Sequence, residues 1–258
     1  MAMTKPKPAP PDTISSELKQ ANSKIDRGIS MILYGDIGLG KTTAATTLPV
    51  GETLIINTEA GLGPLLGTGH VVFNLKRDLT QLDDIYRYLR TENHPFKYIV
   101  FDNLSEFQDW ILNMLVDLRK KDFPDIREHG DASFKMIEQG HLFRDLVEKG
   151  ICIIFNAWEE YFKIKDDVSG VVEMKLGPKM YPKIVAKMCG IVDCVGHIEK
   201  YDKTGDRWVR FTPLKGIMAK TQFKGLDECE PMNMPGQGPG LKDIFDKMYA
   251  YKYDGGKP

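Results

Sequence analysis

Nine consecutive residues, Gly35-Asp36-Ile37-Gly38-Leu39-Gly40-Lys41-Thr42-Thr43, hold the densest chemistry in the chain. Gly35, Gly40, Lys41 and Thr42 fall in the spacing G-x4-G-K-[ST], the P-loop pattern. Glycines at these places let the backbone curl until successive N–H groups point inward at phosphate oxygens. A helix opening near Lys41 would add the positive end of its dipole. The Lys41 ammonium is placed to reach β- and γ-phosphates, and the Thr42 hydroxyl to ligate magnesium. The nine residues therefore predict an ATP site with Mg2+. A glycine loop with an incidental lysine is the bland alternative. It leaves unexplained the apolar "ISMILY" before the loop and the helix-compatible "TTAATTL" after it.

Two carboxylates complete the chemistry. "YIVFD" ends in Asp102, and a strand-ending Asp beside a P-loop holds magnesium through water; alone it would read as a helix cap. "TLIINTEAG" delivers Glu59 to the tip of another apolar run. A further strand and helix, "HVVFNLKRDLTQLDDIYRYLR", intervene before Asp102. That insertion is expected to put a strand between the two phosphate-binding strands, with Glu59 at a central tip. There a glutamate can activate water against the γ-phosphate. The alternative is a carboxylate solvated at the rim.

The elements that position these residues alternate in type. β-branched runs at 30–34, 53–57, 70–75, 97–102 and 151–156 read as strands covered on both faces, and amphipathic helices lie between them. In the helix after "FDNLSEF", Phe107, Trp110, Ile111, Met114, Leu115 and Leu118 recur at helical spacing. Ser105 with Gln108 reads as its capping box. "DCVGHIEKYDKTGDRWVRFTP" predicts an antiparallel hairpin. The expected fold is α/β, a mostly parallel central sheet flanked by helices with a C-terminal antiparallel hairpin extension. The expected divisions are a mobile Pro-rich arm and short helix (1–27), the core (28–230), and a Gly/Pro linker with an amphipathic helix (231–258).

With 258 residues and a net charge of −1, the chain is no generally basic protein, so nucleic-acid binding needs a local patch. Nothing reads as a membrane span or signal peptide, which predicts a cytoplasmic protein without a membrane partner. Cys152, Cys189, Cys194 and Cys229 lack paired CxxC spacing. Cys194 and His197 would point to opposite faces of a strand, which favours reduced core cysteines over zinc.

"GDIGLGKTT", "LIINTEAGL", "YIVFDNLSEF", "ICIIFNAWEE" and the hairpin leading to "IMAKTQFKG", in that order over residues 28–225, resemble the RecA-like recombination ATPases. More narrowly they resemble the compact phage-encoded AAA-type ATPases of the Sak-type single-strand annealing group. The resemblance implies a RecA-like ATPase core that acts on single-stranded DNA in annealing or strand pairing. It further implies a homo-oligomer, ring or filament, with nucleotide at subunit interfaces, and a single-strand binding protein as a further partner. It assigns Glu59 to the attacking water and Asn156 to sensing the γ-phosphate. Relatives often carry a histidine where this chain has Trp158. Lys220 matches the first of two cations that reach a neighbour's nucleotide; Gln222 departs from the second, for which Lys224 is a substitute. Two rivals are an ATP-dependent assembly or loading module and a small-molecule kinase. The late segments hold few arginines (Arg207, Arg210) for a kinase lid.

For DNA, the segment after "ICIIFNAW" reads as a long loop that stays mobile until bound. Lys175, Lys179, Lys183 and Lys187 recur there with Tyr161, Phe162 and Tyr181. Cations interleaved with aromatics suit a sequence-tolerant single-strand site. The alternative is a solvated lysine face, with Lys5 and Lys7 of the arm as the other place for DNA.

Overall fold

The apolar runs form strands because each is sandwiched. In the computed structural model, β1 (Ser30–Gly35), β2 (Thr53–Asn57) and β4 (Tyr98–Asp102) are buried at every residue. β3 (Val71–Asn74) is partly exposed, since it is the sheet's edge and not a strand covered on both faces. The remaining strands are β5 (Cys152–Lys165), β6 (Val172–Pro178), β7 (Cys194–Lys200), β8 (Arg207–Arg210) and β9 (Cys229–Pro231). Residues 25–59, 61, 63–165, 172–201 and 204–251 are described. The arm at 1–12 and the short helix expected after it lie outside them.

The sheet runs β3-β2-β4-β5-β1-β7-β8-β9, with β6 paired to β5. Neighbours from β3 to β7 are parallel, and β7, β8 and β9 are antiparallel. This is the α/β layout implied for a RecA-like core. A strand does separate the two phosphate-binding strands, but it is β5, not the insertion that carries Glu59. β5 pairs Asn156 with Leu33 of β1 and Phe155 with Phe101 of β4. β2 and β3 lie beyond β4, because β2 satisfies its ladder between those two.

Alternation along the strands sends side chains to two cores. Ile32, Tyr34, Ile56, Phe101 and Phe155 face one side. There they meet α2 (Leu79–Thr91), α3 (Leu104–Leu118), α4 (Ile126–Asp145) and α5 (Pro182–Ile191). Met31, Leu33, Ile55, Val100 and Ile154 face the other, with α1 (Lys41–Ala45) and α6 (Leu241–Ala250). The stripe on α3 is buried at Phe107, Trp110, Ile111 and Leu115, half-buried at Met114 and exposed at Leu118. Its cap is Asn103, whose side chain accepts from Glu106 N at 2.9 Å. Ser105 lies inside the helix and donates its hydroxyl to Lys179 O at 2.8 Å instead of capping.

The expected mobile loop after Trp158 is a second correction, made over all but 166–171, which lie outside the described residues. β5 continues past the sheet for 14 residues in all and doubles back as β6, pairing Glu159 with Pro178 and Lys165 with Val172. α5 follows, with Pro182 in its first turn, where a missing N–H costs nothing. Tyr161 and Lys163 turn outward and Phe162 between them is half-buried, which is strand behaviour.

Candidate nucleotide-binding site

β1 stops at Gly35, and the chain turns tightly through the next five residues. Asp36 Oδ1 accepts from Ile37 N at 2.7 Å, and Leu39 N donates to Asp36 O at 3.3 Å. Gly38 and Gly40 adopt φ of 82° and 90°, the left-handed region that favours glycine. Lys41 then folds back over the turn, its Nζ donating to Gly35 O at 2.8 Å and Asp36 O at 2.9 Å. It is only 7% exposed. Burial pulls its pKa below the ordinary lysine value, against the opposing fields of Asp102 and Glu59. A buried ammonium resting on two carbonyls fits a phosphate, which would give the charge a stronger partner.

α1 is shorter than "TTAATTL" suggests. It ends at Ala45, where Thr46 and Thr47 turn their hydroxyls onto Thr43 O and Ala44 O, each at 2.7 Å, and Pro49 follows. Thr43 lies within this short helix, half-buried.

Thr42 Oγ1 donates to Asp102 Oδ2 at 2.6 Å, and Asn156 Nδ2 donates to Asp102 Oδ1 at 3.0 Å. α1, β4 and β5 thus place the three side chains in one line. Asn156 Oδ1 is buried with no partner among the described residues. The donors are all oxygen, the set a hard divalent cation prefers. Thr42 and Asp102 would hold magnesium, which supplies neutralisation of phosphate charge.

Glu59 comes from just beyond β2. Asn57 Nδ2 grips its carbonyl at 2.6 Å and bonds Asn74 Oδ1 at 2.9 Å. Asn103 Nδ2 donates to the Glu59 carboxylate, which brings it beside Asp102 from the far side of β4. Burial raises its pKa above the usual carboxylate range, the Asp102 charge adds to this, and Lys41 opposes it. The carboxylate two residues past the end of β2 thus stands on the flank of Asp102 opposite Asn156.

Lys220 is not brought to this cluster. Its ammonium donates to Cys189 O, Gly190 O and Val192 O at 3.1, 3.0 and 2.6 Å, closing the C-terminal end of α5. Trp158 packs under Lys179, whose Nζ lies 5.1 Å from the ring centre. Ser105 holds this corner by accepting from Trp158 N at 3.0 Å. His197 pairs with Glu159 at 3.0 Å, and the four cysteines are free thiols, with burial pushing Cys194 up to about 12. Among the described residues no group of three or more His, Cys, Asp and Glu side chains could hold a metal, and no helix is long and apolar enough to cross a membrane.

Beside the corner lies a cleft of about 810 Å³ between the β5–β6 hairpin and α5. Tyr161, Phe162, Lys163, Lys179 and Tyr181 line it. Tyr181 N donates to Gln108 Oε1 at 2.6 Å, and its ring meets His129 edge-on. Lys175 lies on β6 opposite Phe162, and Lys183 is exposed on the first turn of α5.

Sequence reasoning missed Arg207, whose Nε donates to Leu39 O inside the phosphate loop at 2.9 Å. No local pattern could have announced a contact spanning 168 positions.

A glycine-turned loop with a buried lysine, threonine against aspartate and an asparagine on the next strand define a P-loop nucleotide-binding ATPase. The family model described as "AAA domain" matches residues 27–223, and the chain belongs to that family. No curated protein matches it. Among solved structures it is similar to the RadB recombinase, at 17% identity over 80% of this chain and 92% of that one, with a TM-score of 0.45. The KaiC-like protein PH0186 of Pyrococcus horikoshii OT3 is similar at 13% identity over 83% and 99%, TM-score 0.42. The flagellar accessory protein FlaH of Methanocaldococcus jannaschii is similar at 13% over 80% and 88%, TM-score 0.42.

Proposed function

We propose that this chain hydrolyses ATP with magnesium and couples hydrolysis to single-stranded DNA, in annealing or strand pairing of the phage recombination type. One observation carries the ATPase reading. Thr42, Asp102, Asn156 and Glu59 arrive from separate elements and meet around the buried Lys41. In this reading the loop amides and Lys41 bind the phosphates, and Glu59 takes the proton of the attacking water. Asn156, which donates to Asp102 Oδ1 at 3.0 Å, senses the γ-phosphate.

The cleft beside Trp158 supports the DNA reading. It offers an exposed Tyr161 with Lys163 and Lys179, the pairing of stacking faces and cations that tracks a single strand. The experiment is ATP turnover measured alone and with single-stranded DNA, duplex DNA or RNA, for the protein and for Lys41→Ala. Stimulation by single strands, abolished in the variant, is expected. Hydrolysis by Lys41→Ala within about threefold of the parent would sink the phosphate-site assignment. Equal rates with and without every nucleic acid would sink the DNA reading alone.

A further inference from the structure

The C-terminal part of the chain reaches back to the phosphate loop. β8 lies two strands from β1, on the flank opposite β5 and β4. From there Arg207 lays its side chain on the loop, Nε to Leu39 O. Its own carbonyl accepts from Met232 N at 2.9 Å, which draws the following segment alongside. A Cβ added at Gly40 would come within 2.7 Å of Met234 Cε and 3.4 Å of Arg207 Nε. The segment is closed on itself by Asn233 N to Pro239 O at 2.7 Å and Gln237 N to Met234 O at 3.0 Å. It is fixed to the end of α1 by Leu241 N donating to Thr47 Oγ1 at 2.8 Å. "MNMPGQGPG", which reads as a linker, is a brace along the phosphate loop and its helix.

A guanidinium has five N–H donors in a rigid fork, and the Leu39 carbonyl takes one. Among the described residues nothing is bonded to the two terminal nitrogens of Arg207. A half-buried cation with unspent donors, beside amides that cradle phosphate, suits a phosphate oxygen. Asp102, Asn156 and Glu59 approach from the β5–β4 flank, and Arg207 from the β8 flank. A nucleotide with its terminal phosphate toward Glu59 turns its nucleoside end toward Arg207.

We propose that Arg207 binds the nucleotide at its α-phosphate end, anchored through Nε on Leu39 while its terminal N–H groups donate to phosphate oxygen. The proposal rests on the nucleotide reading of the loop. ATP and ADP share that end, so the contact contributes to affinity and is blind to the bond that breaks.

The test titrates Mg-ATP and Mg-ADP against Arg207→Ala, Arg207→Lys and Lys41→Ala, with steady-state turnover and thermal unfolding in parallel. Arg207→Ala is expected to raise Kd for ATP and ADP alike by about tenfold to a hundredfold, the loss of a charge-assisted hydrogen bond. Its kinetic loss falls on KM more than on kcat. Arg207→Lys recovers part of the affinity, since an ammonium can still reach phosphate but cannot fork. Unchanged affinity in Arg207→Ala, with a lowered Tm, would make Arg207 a brace only and overturn the proposal. Loss confined to ATP and accompanied by a fall in kcat would also overturn it, placing the cation at the γ-phosphate. Failure of the underlying nucleotide reading looks different, because Lys41→Ala would then bind ATP like the parent.

Discussion

A carboxylate that takes a proton from water works best when its own pKa is drawn up toward the working pH. The surroundings of Glu59 do this through burial first and the Asp102 charge second, while the Asn103 amide fixes its direction. Glu59→Gln keeps the size and a hydrogen-bonding amide but removes the base. ATP binding should stay near normal while turnover falls on the order of 10²-fold or more. Normal hydrolysis in that variant would reduce Glu59 to a rim carboxylate. The pH dependence has a definite sign. With its pKa raised, Glu59 loses basic character earlier on acidification than a free glutamate of about 4.3. The acid limb of kcat/KM, which reports the free enzyme, should therefore lie above that value in a pH–rate profile, and it should vanish in Glu59→Gln. An acid limb at the ordinary carboxylate value would assign the water to another group.

At the scale of elements, the corner between α3 and α4 shows how charge holds two helices in register. Glu128 is fully buried, accepting from Arg119 Nη1 at 2.5 Å and from Lys121 Nζ at 2.9 Å on both oxygens. It also accepts from Asp125 N at 3.0 Å in a capping box that opens α4. Arg119 first, then Lys121, hold its pKa well below the usual carboxylate range. A depressed carboxylate stabilises the fold above its unfolded pKa and loses that contribution as pH falls through the folded one. Glu128→Gln should therefore melt below the parent at pH 7, with the gap narrowing below about pH 4. A gap of constant size from pH 7 to pH 3 would mean the charge itself contributes nothing. The strands that carry the phosphate site were legible because each combines a short β-branched run with one chemical residue at its tip, as in "YIVFD" and "TLIIN". Strand order was less so: which strand lies beside β1 is decided by crossovers of the whole chain, and no local window holds that information. "AWEEYFK" hid as a loop because its charges lowered the apolar signal and its apolar and polar residues fall in pairs, without the alternation that marks a strand. Arg207 and Met234 were invisible for another reason, since their partners lie in a different part of the sequence.

On the scale of the whole molecule, the phosphate site and the cleft are two ends of one body, joined through Trp158, Ser105 and Lys179. Single-strand binding there has its own signature. Tyr161→Ala should weaken an oligonucleotide by the ~1–3 kcal/mol of one stacked base. Lys163→Ala with Lys179→Ala should flatten the salt dependence by about 1–2 units of slope. ATP affinity should hardly move. A fluorescent oligonucleotide titrated across a salt series checks this; unaltered affinity and slope would place DNA elsewhere, on the arm with Lys5 and Lys7. The long β5 gives this arrangement a mechanical consequence. From Asn156 to Lys165 the strand advances nine residues, roughly 30 Å at about 3.3 Å each, and its outer half is stiffened by pairing with β6. It behaves as an oar with its blade in solvent and its handle between β1 and β4. A tilt of about 5° at the handle would sweep Lys165 through about 2.5 Å over that length, so small movements beside the phosphates become large at the far end of β5.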